Sequence, residues 1–258
     1  MNVFQAMLLG LVQGVTEFLP VSSSGHLILV RELLGLENQC LLFDVLLHLG
    51  SLGAVVIALR KELLGLFRPP FKKLGMLLLA TVPAAILGFL LSDTIEGVFG
   101  SGRWLFVTFA LTAVLLIITE TVSKRRKFPR SLGVKQSAFM GVMQAVALLP
   151  GLSRSGSTVF GGIVSGGDRE EVAKFSFMMS VPVILGSAAV GLIGAATGTG
   201  SLELTVGWWE TLCGAVAAFV SGFASVKLMT KVVVRAKYKP LVFYLIGLGI
   251  LSLVMNFF

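Results

Sequence analysis

The sequence predicts an all-α polytopic membrane protein, an inverted-topology repeat with six full spans and two re-entrant helical hairpins. Three observations predict it. Of 258 residues, 55% are hydrophobic and 13% charged, against about 25% charged in a soluble domain, and mean hydropathy is +0.93. Apolar stretches of about twenty residues recur at 104–122, 175–197, 207–226 and 240–258, each long enough to cross a hydrocarbon core of about 30 Å. The charges gather in a few short loops.

Those loops set the orientation of each element. Most of the 21 Lys and Arg fall in three clusters. The first is Arg60, Lys61, Arg68, Lys72 and Lys73. The second is Lys124, Arg125, Arg126, Lys127, Arg130 and Lys135. The third is Lys227, Lys231, Arg235, Lys237 and Lys239. Intervening loops near Asp93–Glu96 and Thr197–Glu203 are nearly free of them. By the positive-inside rule the basic loops are cytoplasmic and both termini lie on the outer face. A net charge of +8 distributed this way orients a membrane protein and does not point to nucleic acid. Neither Cys40 nor Cys213 has motif spacing, so no metal site or disulfide is expected from them. The opening "MNVFQAMLLGLVQG" has no basic n-region and does not read as a signal peptide.

The elements then follow in chain order as a single transmembrane domain. Residues 1–36 are apolar but broken by Pro and Ser/Gly, and form a re-entrant hairpin from outside. Spans at about 41–59, 74–92 and 104–122 cross out-to-in, in-to-out and out-to-in. Residues 136–170 form the second hairpin, entering from the cytoplasm. Spans at about 175–197, 207–226 and 240–258 cross in the opposite senses. Arms of about fifteen residues are too short for each hairpin to be two ordinary spans. Repeat one covers about 1–122 and repeat two about 136–258.

The hairpins also resemble each other. Placed without gaps, "GLVQGVTEFLPVSSSGH" (10–26) and "GVMQAVALLPGLSRSGS" (141–157) match at Gly10/Gly141, Gln13/Gln144, Val15/Val146, Ser22/Ser153, Ser24/Ser155 and Gly25/Gly156. Pro20 and Pro150 are offset by one position. Inverted repeats of broken helices place a site at the repeat interface. Broken backbone at membrane depth is tolerated only inside protein or beside a wet cavity. Serines after each proline can cap the second arm, and two helix N-termini facing one cavity attract an anion.

Ionisable residues at membrane depth are costly and face functional cavities. Glu17 lies one turn after Gln13. His26 lies one turn after Ser22 and Ser23, as proton transfer or nucleophilic attack requires. Arg154 sits at the second tip, far from the basic clusters, and its fork suits phosphate or carboxylate. His48, four residues after Asp44, reads as a structural hydrogen-bonding group. The candidate site therefore holds Gln13, Glu17, Ser22, Ser23, His26, Ser153, Arg154 and Ser155. It fits phosphate-ester hydrolysis and small-anion transport about equally. The Gly10-x-x-x-Gly14 pair permits close helix packing, within the chain or in a homodimer.

"QGVTEFLPVSSSGH" and "LLPGLSRSGS" together resemble the undecaprenyl-diphosphate phosphatase family, also known through bacitracin resistance, over essentially the whole chain. The resemblance implies a bacterial plasma-membrane enzyme that removes the terminal phosphate of undecaprenyl diphosphate and recycles the carrier for peptidoglycan synthesis. Bacitracin binds the diphosphate, so the activity confers resistance. A transporter or flippase of polyprenyl phosphate is the alternative. The family pattern (Glu/Gln)-x-x-x-Glu falls on Gln13 and Glu17, with glutamine at the first place. Its Pro-x-Ser-Ser-x-Gly-His run falls on Pro20, Ser22, Ser23, Gly25 and His26. Its Pro-Gly-x-Ser-Arg-Ser-Gly run falls on Pro150, Gly151, Ser153, Arg154, Ser155 and Gly156. Dependence on Mg²⁺ or Ca²⁺, held by Gln13 and Glu17, is implied. Glu17, Ser23, His26 and Arg154 are then the expected catalytic group, with Ser23 attacking and His26 as base, or with His26 itself or a water activated by His26 or Glu17 as the attacking group; the sequence does not choose between these. Ser22, Ser24, Gly25, Ser153, Ser155 and Gly156 are the expected binding group for the polyprenyl diphosphate, whose tail lies among membrane lipids.

Overall fold

A computed structural model describes residues 1–36, 41–99, 101–125, 131–196 and 206–257. Among these residues every regular element is a helix. In chain order they are α1 (Val3–Phe18), α2 (Ser23–Leu33), α3 (Leu41–Ala58), α4 (Arg60–Leu66), α5 (Lys72–Phe99), α6 (Leu105–Arg125), α7 (Val134–Val146), α8 (Arg154–Val164), α9 (Arg169–Ala196), α10 (Trp208–Arg235) and α11 (Lys239–Met255).

Four helices carry stretches long and apolar enough to cross a bilayer: Lys72–Leu91 in α5, all of α6, Arg169–Gly191 in α9, and all of α10. The pair α3 and α4, bent by 82°, makes a fifth if counted as one span. The protein is thus a multi-pass helical membrane protein. Two of the six expected spans form shorter helices, of 18 and 17 residues. The first, 41–59, ends where the chain turns sharply into α4. The last, 240–258, forms a helix of 17 residues, about 25 Å at 1.5 Å per residue. Phe4, Phe89 and Phe243 are 73%, 83% and 72% exposed, an outer surface suited to lipid rather than water.

Several helices outrun their expected limits. Helix α5 continues through Asp93–Glu96, where a loop was expected, and α10 continues to Arg235. The basic residues Lys227, Lys231 and Arg235 therefore ride on helix, because Lys and Arg are good helix formers that carry their charge out on a long stem. The expected loop at Thr197–Glu203 lies outside the described residues.

The two breaks fall at the prolines. Helix α1 opens with a capping box: Gln5 N–H donates to Asn2 Oδ1 and Asn2 N–H to Gln5 Oε1, both at 2.9 Å. It closes at Leu19, which is extended at φ −67°, ψ 146°, as the residue before a proline prefers. Helix α7 stops earlier, at Val146, four residues before Pro150, with Ala147 at φ −79°, ψ 11°, and α8 restarts at Arg154.

Small residues set the packing. A Cβ on Gly10 would lie 2.0 Å from the Gly214 carbonyl oxygen, and one on Gly14 would lie 2.2 Å from that of Ala218. Backbone thus meets backbone between α1 and α10, so the glycine pair serves contact within the chain. Gly141, the match of Gly10, does the same for α7: a Cβ there would lie 2.6 Å from the Ala80 carbonyl oxygen of α5. Helix α11 has no side-chain cap of its own. Glu120 of α6 supplies one, its Oε2 accepting from Tyr238 N–H at 2.8 Å and Lys239 N–H at 2.9 Å.

Candidate active site

The breaks α1–α2 and α7–α8 meet, and their serines tie them together. Ser22 caps α2 by accepting from Gly25 N–H at 3.4 Å, and Ser153 caps α8 by accepting from Gly156 N–H at 3.1 Å. Ser24 Oγ accepts from Gly151 N–H of the second elbow at 3.2 Å. Its match, Ser155, donates to the Leu19 carbonyl of the first elbow at 2.9 Å. Matched serines thus perform matched tasks. Gly151 is required: its φ is +85°, and a Cβ there would lie 2.1 Å from Thr108 Oγ1. Ser22 also holds a positive φ of 71° without being glycine, a strained conformation of the kind found at functional sites.

Chemistry converges on Glu17. Its side chain is 5% exposed, and its Oε1 accepts from Arg154 Nη2 at 2.6 Å. Its Oε2 accepts from Ser23 Oγ at 2.6 Å and from Gln13 Nε2 at 3.0 Å. His48 Nε2 stands 3.8 Å from the same oxygen. These groups border a cavity of about 160 Å³, lined by Glu17, Ser22, Ser23, Ser24, Ser153 and Arg154 among others. Clefts for drug-sized ligands run from about 300 Å³, so this one suits a head group and not a chain. The helix starts add donors. The amides of Ser23 and Ser24, and of Arg154 and Ser155, have no acceptor among the described residues, as the first turn of a helix leaves them. An anion placed between the elbows meets two helix N-termini and a guanidinium.

Most of the predicted residues come together here, but His26 does not stand beside Ser23. Its Nδ1 lies 2.5 Å from the Ser22 carbonyl oxygen, which can only accept, so that nitrogen carries a proton. Its Nε2 lies 2.8 Å from the Tyr244 hydroxyl, with the two rings stacked at 5.6 Å. Both nitrogens are engaged, so the expected Ser23–His26 pair is absent, and Ser23 Oγ donates to the Glu17 carboxylate instead. One helical turn allows either side of the backbone, and Tyr244 draws the ring away. His48 is the converse. Its Nδ1 bonds the Asp44 backbone carbonyl at 2.8 Å, the Asp44 carboxylate pairs instead with Arg31, and its other nitrogen faces Glu17. The sequence marks His48 by its spacing from Asp44, and that bond forms through the Asp44 backbone, but nothing in the sequence points it to Glu17. Thr112, which accepts from Ser153 N–H at 3.1 Å, and Tyr244 gave no signal at all.

The donors present fit a hard divalent cation. Gln13 Oε1 is buried without a hydrogen-bond partner beside Glu17, and Gln13, Glu17 and Ser23 offer oxygen, as Mg²⁺ and Ca²⁺ prefer. Among the described residues no group of three or more His, Cys, Asp and Glu could hold a metal. A cation here would depend on substrate oxygens to complete its shell, as Mg²⁺ sites on phosphates commonly do.

A family model described as Bacitracin resistance protein BacA matches residues 6–251. The chain is 40% identical over 257 residues to an undecaprenyl-diphosphatase of Carboxydothermus hydrogenoformans, covering 99% of this chain and 98% of that one. It is 37% identical over 262 residues to undecaprenyl-diphosphatase 1 of Pseudoalteromonas translucida, covering 97% of each. It is 36% identical over 275 residues to an undecaprenyl-diphosphatase of Methanobrevibacter smithii, covering 97% of this chain and 96% of that one.

Proposed function

The chain belongs to the bacitracin resistance protein BacA family, from which we infer that it is an undecaprenyl-diphosphatase. It releases the terminal phosphate of undecaprenyl diphosphate in the membrane, and in doing so removes the lipid to which bacitracin binds. The observation that carries the site assignment is the buried carboxylate of Glu17, shared between Arg154 of one elbow and Ser23 of the other.

The terminal phosphoryl group enters between the elbows, where Arg154 and the free amides of α2 and α8 bind its oxygens. The polyprenyl tail stays in lipid. Ser23 Oγ attacks phosphorus and passes its proton to Glu17 Oε2, 2.6 Å away. The bond to the bridging oxygen breaks, and undecaprenyl phosphate leaves with that oxygen. Glu17 gives that proton up to the departing undecaprenyl phosphate; water then attacks the phosphoserine, giving a proton to Glu17, which returns it to Ser23 Oγ as inorganic phosphate leaves. Arg154 steadies the charge on the equatorial oxygens in both steps. His48 faces the same carboxylate oxygen and holds it in place between them. His26 acts one bond further back, fixing the Ser22 carbonyl of the strained turn that presents Ser23. Gln13 and Glu17 would hold Mg²⁺ or Ca²⁺, which when bound neutralises charge on the diphosphate.

The architecture behind this is read as six spans and two re-entrant hairpins in two inverted halves, in the plasma membrane with both termini outside. Helix pairings support it. Helix α1 lies on α10 as α7 lies on α5, and α3 lies on α10 as α9 lies on α5. The pairs α3–α9 and α6–α11 map onto themselves when the halves exchange.

The test is phosphate release from undecaprenyl diphosphate by purified protein, wild type against Ser23→Ala and Arg154→Ala, with trapping of the modified residue. A phosphoserine at position 23 is expected. Full turnover by a folded Ser23→Ala protein removes the covalent step.

A further inference from the structure

The cavity at the elbows also receives a side chain from outside both of them. His48 of α3 lines it, with its side chain 33% exposed. Helix α3 is fixed on two sides. Arg31, in the last turn of α2, pairs with Asp44 in the first turn of α3. A Cβ on Gly50 would lie 2.4 Å from the Ala215 carbonyl oxygen of α10. His48 lies between these two contacts, so its backbone has a defined place.

The ring is oriented from behind. Nδ1 lies 2.8 Å from the Asp44 backbone carbonyl oxygen, which can only accept, so Nδ1 carries the proton. In the neutral imidazole Nε2 then presents a bare lone pair. It stands 3.8 Å from Glu17 Oε2, itself an acceptor, and makes no hydrogen bond among the described residues. Gln13 bonds the same Glu17 oxygen through Nε2 at 3.0 Å, while its buried Oε1 has no partner among the described residues. Beside one carboxylate oxygen, His48 Nε2 and Gln13 Oε1 are thus both acceptors without a donor.

Acceptors left without donors are costly away from water, and a cation removes the cost. The spacing suits one. Two ligand atoms that each stand about 2.1–2.3 Å from the same ion lie about 3–4 Å apart. The bond behind the ring suits one too. A metal-ligating histidine commonly donates its other N–H to a backbone carbonyl, which fixes the tautomer and aims the lone pair. His26 lacks this property, because both of its nitrogens are taken.

We propose that His48 Nε2 is a ligand of the divalent cation held at Gln13 and Glu17, contributed by a helix that carries neither elbow motif. This rests on the reading that a cation binds there, and it adds a nitrogen to a set otherwise made of oxygen. Imidazole suits transition ions better than Ca²⁺, so His48 biases the site toward them.

Mn²⁺ binding to the full chain, purified without a histidine tag and stripped with chelator, tests the assignment by electron paramagnetic resonance. The chain has only two histidines, so coupling of the bound ion to isotope-labelled histidine has two possible sources. Coupling is expected in the wild type and in His26→Gln. It should vanish in His48→Gln, with the Kd for Mn²⁺ raised about tenfold or more. Retention in His26→Gln identifies the source even where His48→Gln folds poorly. Bound Mn²⁺ without histidine coupling, or an unchanged Kd in His48→Gln, overturns the ligand and leaves the cation at Gln13 and Glu17. A wild type that binds no Mn²⁺, or binds it no more tightly than Glu17→Gln does, removes the cation itself and the inference with it.

Discussion

Replacing Glu17 by Gln keeps the size of the side chain and removes its charge. In the structure that charge has two tasks. Oε1 pairs with Arg154 at 2.6 Å, and Oε2 accepts a hydrogen bond from Ser23 Oγ at 2.6 Å, the contact through which the proposed mechanism moves the proton. An amide cannot act as base, and losing a positioned base costs about 10²–10⁴-fold in rate, or about 2.7–5.4 kcal/mol of barrier at 1.36 kcal/mol per decade. Stability falls as well. Breaking a buried ion pair costs about 3–5 kcal/mol, and the lower end applies because Arg154 retains 16% exposure and reaches some solvent. The assay is phosphate release at saturating substrate, beside a melting curve in the same detergent. Ser23→Ala sharpens it. If Glu17 works through Ser23, the double variant should be about as slow as either single one, because residues that act as a unit are not additive. Near-normal turnover by folded Glu17→Gln protein would refute the base assignment, and additive losses in the double variant would refute the pairing.

Arg154→Lys keeps the charge but not the fork that bonds Glu17 while facing the cavity, so activity should fall at least tenfold, read as kcat in the same assay. Tyr244→Phe leaves His26 Nε2 without a partner, which costs about 1–3 kcal/mol; kcat should fall with little change in KM, and a normal kcat would show that the Ser22 turn needs no such support. Gly10→Ala pushes a Cβ against the Gly214 carbonyl oxygen of a helix backbone that has nowhere to shift, so the melting temperature should drop by the equivalent of about 1–3 kcal/mol. Chelator should abolish turnover and Mg²⁺ or Ca²⁺ restore it, with Gln13→Ala needing more metal for half-activity; activity indifferent to chelator would remove the cation.

Much of the architecture was legible because its causes are local. Pro20 and Pro150 interrupt two apolar segments; Leu19 leaves the helix as the residue before a proline prefers, whereas α7 has already ended at Val146. Serines placed after them cap the helices that restart, whatever the surroundings. Gln13 and Glu17 share a face by helical period alone, and they bond each other at 3.0 Å. The matched positions 24 and 155 were visible as letters, and their crossed bonds to the opposite elbow give those letters a purpose.

Helix limits and the choice of histidine were less legible. Basic residues at helix ends were read as loop, although α10 carries Lys227 to Arg235 in regular helix. His26 belongs to a recognisable motif, yet Tyr244, 218 residues away, holds its outer nitrogen. His48 belongs to none, yet faces Glu17 from α3.

The amino-acid order alone thus determined a bilayer-embedded helical chain with two broken segments, one bearing an acid and the other a guanidinium. Only the tertiary structure decided that Arg154 would reach across 137 positions to that acid, and which imidazole would stand beside it. Hydropathy and backbone geometry act over one or two turns of chain, so they fix where helices break and which faces align. A contact between distant breaks depends on how closely whole helices approach, and that was settled by glycines meeting backbone on α10 and α5.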